Sequence, residues 1–276
     1  MITIFARKAR HHQRDGHLWR VSSIIRGWQV AEKIGAKLNP TAGFENDICI
    51  YVKPHVHPGN DFMFAGKPYL DIIDGSQLLS LAAKHPEVSV ITCSVVDFEY
   101  VTQNINNRVI LIPQHHCNFE RIKRTRNEIT TIGCIGTPAA FPYLPQELKP
   151  SLTQRGMELI EFSNFYTRED VVDFYKKIDI QVVWRPYLNK LKIKMSNPLK
   201  LVNASSFGIP TIALDEPAFK EMDGCYIPVH SINEFMNQLD NLRSSPFLYQ
   251  EYSNKAVKKA EEYHIENIAN LYTNLI

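Results

Sequence analysis

The chain has 276 residues, of which 44% are hydrophobic and 22% are charged, and it carries a formal net charge of +2. This length and composition allow one large domain or two of ordinary size with buried cores, and they exclude a disordered protein. The small net charge does not indicate a dedicated nucleic-acid-binding protein.

The cysteines and the N-terminus bear on the cell compartment. The five cysteines include no Cys-x-x-Cys pair and are odd in number, so they predict neither a disulfide framework nor a zinc ribbon. The N-terminal apolar stretch reaches a charge at Arg7, and no apolar run approaches the ~18 residues of a membrane span. We therefore expect a reduced, cytoplasmic protein without a signal peptide.

Short apolar runs alternate with helical patterns along the first half of the chain. Apolar residues at three- and four-residue spacing from Val21 to Ile34 predict a helix that ends near Gly35. A second helix is predicted over Ser76–His85, because Pro86 stops it. The predicted strands are Ile2–Ala6, Asp47–Val52, Tyr69–Ile73, Val88–Cys93 and Val109–Ile112.

The second half repeats this alternation. The predicted strands are Thr131–Ile135, Leu159–Phe162, Ile180–Trp184, Thr211–Leu214 and Cys225–Val229. The predicted helices are Arg168–Lys177, Pro198–Phe207, Ile232–Arg243 and a long C-terminal one over Lys255–Ile276. Because parallel strands need crossover connections, two series of strand–helix–strand units predict an α/β protein with two Rossmann-like domains. The basic, polar segment Asn118–Asn127 separates a first domain over residues 1–117 from a second over 128–254.

The helix over Pro198–Phe207 carries the feature most indicative of function. It exposes Lys200, Asn203 and Ser206 on one side, and Gly208 ends it in the positive φ of a C-terminal cap. The backbone N–H groups and the dipole at the amino end of such a helix attract negative charge. The alternative is a purely structural corner between a helix and a strand.

Four basic residues closely precede this helix, and they are Arg185, Lys190, Lys192 and Lys194. Arginine bridges two phosphate oxygens and lysine acts as a point charge, so this cluster suits a ligand that bears phosphate. Since the chain contains no Asp-x-Asp motif, fixed cations would take the place of a metal ion. A solvated basic loop is the alternative.

Two loops at the ends of predicted strands suit ligand contact. Gly136 and Thr137 follow the first strand of the second domain, where a small residue lets the backbone approach a ligand, although a tight strand–helix turn has the same composition. Asp15 and His17 lie in a polar loop after the first strand of the chain, at the edge where open α/β sheets bind ligands. Either residue would serve there as a base or orient a substrate hydroxyl, unless the loop is polar only for solubility.

Histidine pairs do not add a metal site. The pairs His55-x-His57 and His115-His116 lack the three or four converging ligands that a metal ion needs. We therefore predict no metal.

Two segments resemble the donor-binding domain of glycosyltransferases of the GT-B fold, in particular family 4-like enzymes. Ile178–Pro186 resembles the strand and turn before the donor site. Lys194–Gly208 and the following Ile-Pro-Thr-Ile resemble the element Lys-Pro…Lys-Leu-hydrophobic-Asn-Ala…Gly-hydrophobic-Pro of one branch of these enzymes. The resemblance covers the second domain well and the first only in architecture.

This resemblance implies two Rossmann-like domains with parallel sheets facing across a cleft, and a C-terminal helix, 255–276, that packs back on the first domain. It implies a nucleotide-sugar donor on the second domain and an acceptor on the first. The implied catalytic residues are Asp15, His17 and Arg185. The implied donor-binding residues are Gly136, Thr137, Arg185, Lys194, Asn197, Lys200, Leu201 and Asn203.

The chain departs from the better-known branches at two positions. Those enzymes place a glutamate five residues before the glycine of this element, to hold the donor ribose, and a second acid eight residues earlier. The corresponding residues here are Asn203 and Met195. The amide of Asn203 would bond a ribose hydroxyl in place of a carboxylate.

We therefore expect a metal-independent glycosyltransferase that needs no cofactor and moves a sugar from a nucleotide-sugar donor to an acceptor hydroxyl. The acceptor would be a glycan or a lipid-linked glycan, with peripheral contact to a membrane as a further expectation. A catalytically inactive nucleotide- or sugar-binding protein is the alternative, and the basic clusters leave a glycosyltransferase acting on nucleic acid open. A dinucleotide-dependent oxidoreductase is disfavoured, because no Gly-x-Gly-x-x-Gly follows Ile2–Ala6.

Overall fold

The structure is a computed structural model that describes residues 1–6, 21–56, 62–73, 75–125, 128–185 and 195–275. The chain divides into two compact units. The first takes in the described residues of Met1–His115, Asn189–Asn197 and Ile265–Ile276, and the second takes in those of His116–Leu188 and Pro198–His264.

The first unit is built on a six-stranded sheet. Its strands are β1 (Ile2–Phe5), β2 (Lys37–Leu38), β3 (Ile48–Val52), β4 (Lys67–Asp71), β5 (Ser89–Thr92) and β6 (Val109–Leu111). They lie in the order β2-β1-β3-β4-β5-β6, and every neighbouring pair is parallel. Such a sheet buries both faces, which is why its strands appear in the sequence as continuous apolar runs.

Helices cover both faces of this sheet. Helix α1 runs through Val21–Ser23, Ile24–Gln29 and Val30–Ile34, and its middle part is π-helical. With Ile268 and Tyr272 of the C-terminal helix Ile265–Thr273, α1 encloses a core around Ile4 and Ile50. On the other face, residues of α2 (Leu79–Lys84) and α3 (Val95–Asn104) pack with Leu70 and Val90 in a second core.

The second unit is built on a five-stranded sheet. Its strands are β7 (Thr131–Ile135), β8 (Glu158–Phe162), β9 (Ile180–Val183), β10 (Thr211–Leu214) and β11 (Ile227–Val229), in the parallel order β11-β10-β9-β7-β8. Its helices are α4 (Leu148–Gln154), α5 (Arg168–Lys177), α6 (Leu199–Ser206), α7 (Ile232–Ser244) and α8 (Pro246–Ala260). Short 3-10 helices add Pro138–Tyr143, Pro217–Met222 and Glu261–Tyr263.

The strand order of the second unit marks where a ligand would bind. The chain passes from β7 to β8 on one side and then to β9 on the other side of β7, so the direction of strand addition reverses between β7 and β9. Open α/β sheets bind ligands outside the carboxyl ends of their strands at such a reversal. The residues that follow β7 and β9 are therefore the first place to look for a site.

The predicted α/β class with two parallel sheets is confirmed, and most predicted elements exist. The bounds of β7, β10 and α5 agree with the prediction, whereas β2, α3 and α4 are additional elements, and α8 begins at Pro246, ahead of the helix start predicted at Lys255. The single helix expected over Lys255–Ile276 is wrong, because α8 ends at Ala260 and a new helix begins at Ile265. The interruption centres on His264, whose backbone is extended and whose buried ring bonds the carbonyl oxygen of Phe119 at 3.1 Å.

No helix in the described part of the chain has both the length and the apolar character needed to cross a bilayer.

A buried ion pair lies at the carboxyl edge of the first sheet. Arg26 donates from Nε to Asp71 Oδ2 at 2.6 Å and from Nη1 to the carbonyl oxygen of Ile112 at 2.8 Å. Asp97, at the start of α3, is also fully buried and accepts a hydrogen bond from the backbone N–H of Cys93 at 3.3 Å. Burial raises the pKa of Asp97 to about 7, against the opposing effect of the hydrogen bonds from Cys93.

The raised pKa of Asp97 predicts that the contribution of Asp97 to the free energy of unfolding falls as the pH rises from about 4 to 7. Over this interval the folded chain keeps the proton and the unfolded chain loses it. The rise of the pKa from 3.8 to about 7 limits the loss to ~4 kcal/mol. Asp97→Asn stays neutral, so its unfolding free energy relative to the wild type should increase between pH 4 and pH 8, as measured by denaturant titration.

The matched control for this measurement is Glu99→Gln, which neutralises an exposed acid on the same helix. If the free energy of unfolding changes with pH in the same way in the wild type and in Asp97→Asn, the prediction is wrong.

Candidate functional site

Three adjacent strands of the second unit end at a common edge. The chain continues from β7 into Gly136, from β9 towards Arg185, and from β10 towards Glu216. Helix α6 adds Lys200 near its amino end, where the helix dipole is positive. These four residues form what we call the cation site.

Lys200 lies directly against the glycine turn. A Cβ atom at Gly136 would come within 3.2 Å of Lys200 Nζ, and the N–H of Gly136 bonds the carbonyl oxygen of Phe162 at 3.1 Å. The absence of a side chain at Gly136 therefore leaves the room that the ammonium uses.

The Lys200 side chain is partly buried, and within the described ranges its ammonium makes neither a hydrogen bond nor an ion pair. Burial lowers the pKa of Lys200 and the guanidinium of Arg185 lowers it further, whereas Cys134 and Glu216 act in the opposite direction. A desolvated cation beside a second cation is unfavourable until an anion joins them. The arrangement therefore suits a negatively charged ligand.

Arg185 contacts Glu216 and Phe219. Its Nε and Nη2 atoms face the two carboxylate oxygens of Glu216, with Nε 3.2 Å from Oε2, and its guanidinium lies over the ring of Phe219 at 5.1 Å from the centroid. Burial raises the pKa of Glu216, while Arg185 and Lys200 oppose this rise. Glu216 and Phe219 thus both help to fix the position of Arg185.

Buried polar groups fix helix α6 beneath the site. Gln181 of β9 donates from Nε2 to the carbonyl oxygen of Lys200 at 3.0 Å, and its Oε1 accepts a hydrogen bond from the hydroxyl of Tyr175 at 2.9 Å. At the other end of α6, Gly208 has a φ of 70°, and a Cβ there would lie 2.7 Å from Ser253 Oγ. A residue other than glycine at this position would suffer both strain and a clash.

Asn203 is engaged within the second unit. Its Oδ1 accepts a hydrogen bond from the backbone N–H of Cys117 at 2.9 Å. This bond gives Asn203 a structural role, and its contact with a ribose stays a prediction.

The other predicted site residues are placed differently. Thr137 is exposed and begins the short 3-10 helix beside Gly136, whereas the side chain of Leu201 is fully buried. Asn197 and Met195 group with the first unit, where Met195 packs in the core around Leu70. Three predicted residues lie outside the described ranges, namely Asp15, His17 and Lys194.

Glu216 and Phe219 were not predicted from the sequence. The signal for Glu216 was present, because the pair Asp215-Glu216 directly follows a buried strand and therefore lies at the ligand-binding edge of a parallel sheet. Phe219 had no such signal, since a buried aromatic residue in a short 3-10 helix has the pattern of ordinary core packing.

A cavity of about 490 Å³ lies elsewhere in the second unit, at the amino edge of its sheet. Residues that line it include Glu128 and Thr130, just before β7, and Pro246 and Tyr249 of α8. The functional edge of an open parallel sheet is the carboxyl edge, so this cavity does not displace the cation site as the candidate.

Within the described ranges, no three or more His, Cys, Asp or Glu side chains come together in a way that would hold a metal ion.

No family model and no curated protein matches the chain. Several solved structures do. HepE from Anabaena, in complex with UDP and glucose, has 10% identity and a TM-score of 0.60, over 99% of this chain and 98% of its own. WaaG, a glycosyltransferase involved in lipopolysaccharide biosynthesis, has 11% identity and a TM-score of 0.55, over the full length of both chains.

A point mutant of TarM from S. aureus, in complex with fondaparinux, alpha-GlcNAc-glycerol and UDP, has 15% identity and a TM-score of 0.56. The match covers 83% of this chain and 55% of TarM, so the chain spans about half the length of that protein. At such low identities the similarity concerns the fold, and the two all-parallel sheets agree with it. The chain has the fold of the GT-B glycosyltransferases.

Proposed function

We propose that the chain is a glycosyltransferase that binds a nucleotide-sugar donor at the cation site of its second unit. The observation that carries the proposal is Lys200, a partly buried cation that lies against the Gly136 turn and forms neither a hydrogen bond nor an ion pair with any described residue. The UDP present in the HepE and TarM structures supports a nucleoside diphosphate as the anion.

The chemistry of the transfer fits these groups. As the bond between sugar and diphosphate breaks, negative charge develops on the leaving group, and the fixed charges of Arg185 and Lys200 stabilise it. The turn at Gly136 admits a phosphate close to the backbone, and the amino end of α6 adds its dipole. The acceptor hydroxyl must lose a proton, and Asp15 or His17 remains the proposed base.

The acceptor that we propose is a hydroxyl of a glycan or of a lipid-linked glycan. The role of WaaG in lipopolysaccharide biosynthesis and the fondaparinux and alpha-GlcNAc-glycerol in the TarM structure support a carbohydrate acceptor. A lipid-linked acceptor would bring the chain to a membrane surface. We propose a cytoplasmic location, supported by five cysteines that are all free thiols.

A second candidate is a protein that binds the nucleotide sugar without turning it over. Two observations favour it, since Met195 packs in the core of the first unit and Asn203 is tied to Cys117, where related enzymes place acids. Release of UDP from UDP-sugars by the purified chain, with and without carbohydrate acceptors, separates the two candidates. Binding of the UDP-sugar without release of UDP would favour the protein that binds without catalysis.

Replacing Lys200 tests the site. Lys200→Met keeps the length of the side chain and removes its charge, so we expect the affinity for UDP to fall by about 10- to 100-fold, the scale of one charge-assisted hydrogen bond. Isothermal titration calorimetry measures the affinity. The control is Lys149→Met, which removes an exposed lysine of α4 and should leave the affinity unchanged. Equal affinities for UDP in both variants and the wild type would place the donor elsewhere.

Asn203→Ala separates a structural role from ribose contact. Loss of the hydrogen bond to the Cys117 N–H should lower the free energy of unfolding by about 1–2 kcal/mol. Thermal melting and UDP titration of the same variant measure both properties, with Asn237→Ala on the exposed face of α7 as control. An unchanged melting temperature with weakened UDP binding would show instead that the amide faces the donor.

We also propose that the transfer needs no metal ion, because Arg185 and Lys200 supply the positive charge at the leaving group. Addition of EDTA should therefore leave the rate of UDP release unchanged. A rate that falls with EDTA and returns with Mg²⁺ or Mn²⁺ would contradict this.

A further inference from the structure

The cation site contains a carboxylate that the proposed chemistry does not use. Glu216 is almost fully buried, and both of its oxygens face the Nε and Nη2 atoms of Arg185. A guanidinium binds carboxylate and phosphate through the same forked edge. In the structure, this edge of Arg185 is therefore occupied by an anion of the chain itself.

Three charged side chains of the described ranges act on Glu216. Arg185 and Lys200 favour its ionised form, whereas Asp215 disfavours it. The carboxylate of Asp215 is engaged elsewhere, since its Oδ1 accepts a hydrogen bond from the hydroxyl of Tyr226 at 2.9 Å. The charge of Glu216 also raises the pKa of Tyr226, although burial of the phenol has the larger effect. Tyr226 is therefore uncharged at neutral pH.

We propose that Glu216 is a resident anion of the donor site, which a phosphate group of the donor must displace from Arg185. The inference rests on the proposed function, because it takes Arg185 and Lys200 as the groups that receive the diphosphate.

Displacement has a cost that the donor must meet. A buried carboxylate that loses its guanidinium partner keeps its charge in a poorly solvated place, and this penalty subtracts from the affinity of the incoming phosphate. Neutralising Glu216 removes both the penalty and the repulsion between its carboxylate and the phosphates. Glu216 would thus weaken donor binding and determine how tightly the site holds an anion.

The first test compares binding of UDP-glucose to the wild type and to Glu216→Gln, which keeps the shape of the side chain and removes its charge. We expect Glu216→Gln to bind UDP-glucose at least ~10-fold more tightly, the scale of one partly screened charge pair. Asp215→Asn is the matched control, since it neutralises the preceding carboxylate, which does not face Arg185, and should have a much smaller effect. Melting temperatures establish that each variant is folded.

The second test is the pH dependence of binding. The two phosphates of UDP-glucose do not titrate between pH 5 and 8, so any change of affinity in this range comes from the protein. Protonation of Glu216 would release Arg185, and burial already moves the pKa of Glu216 towards this range. The affinity of the wild type should therefore rise as the pH falls, and this rise should be smaller in Glu216→Gln, which keeps Lys200 with its lowered pKa but lacks the titrating carboxyl.

The third test asks whether Glu216 acts through Arg185. In an Arg185→Gln background, Glu216→Gln should tighten UDP-glucose binding much less than in the wild-type background. An undiminished effect would mean that the carboxylate repels the ligand from a distance, and the proposed displacement from Arg185 would then be wrong.

Inorganic pyrophosphate as a second probe separates the failure of this inference from the failure of the proposed function. If the wild type binds UDP-glucose and Glu216→Gln binds it no more tightly, the resident anion alone is refuted. If pyrophosphate binds, and binds more tightly to Glu216→Gln, while UDP-glucose does not bind, the inference about Glu216 is supported and the proposed nucleotide-sugar function is wrong. If neither the wild type nor Glu216→Gln binds pyrophosphate or UDP-glucose, the inference and the proposed function are both wrong.

Discussion

The carboxylate of Asp179 holds together the part of the second sheet that carries the cation site. It is fully buried and accepts hydrogen bonds from the backbone N–H groups of Thr130 and Thr131, each at 2.9 Å, and from Nη2 of Arg124 at 2.7 Å. Asp179 directly precedes β9 and Thr131 is the first residue of β7, so these bonds align the two strands at their amino ends. Because packed strands are rigid, the same alignment helps to determine where Gly136 and Arg185 lie at the carboxyl edge.

Folding therefore assembles two like charges at that edge, and the surrounding contacts explain how this is tolerated. The backbone of Lys200 is held by Gln181, and the guanidinium of Arg185 is compensated by Glu216 and covered by Phe219. Lys200 is left with a lowered pKa, because burial and the guanidinium of Arg185 both disfavour its charged form. In the proposed function, this local loss of stability belongs to a site that receives an anion.

Local signals explain which parts of the fold could be predicted from the sequence. Helix α5 begins with a capping box between Thr167 and Asp170, and its predicted bounds agree with the structure. Helix α4 contains Pro150 and is stabilised by the burial of Leu148 and Leu152, which no local pattern reveals. The predicted cations Arg185 and Lys200 do lie at one edge, because that edge follows from the parallel topology. Partners distant in sequence, such as Cys117 for Asn203, are set by tertiary packing and could not be predicted.

The same packing gives a physical reason for the two residues that depart from the pattern of related glycosyltransferases. Met195 lies in an apolar core, where a carboxylate would be desolvated without a partner. Asn203 accepts its hydrogen bond from the Cys117 N–H close to the buried phenol of Tyr175, where a carboxylate would lose much of its solvation. An amide accepts that hydrogen bond without a net charge. The one carboxylate that faces the described cation site comes instead from the segment after β10, where Arg185 compensates it. The acid that α6 lacks is thus matched by Glu216 in charge but not in position, so under the proposed function the donor would meet the pair of Arg185 and Glu216 rather than an acid of the helix.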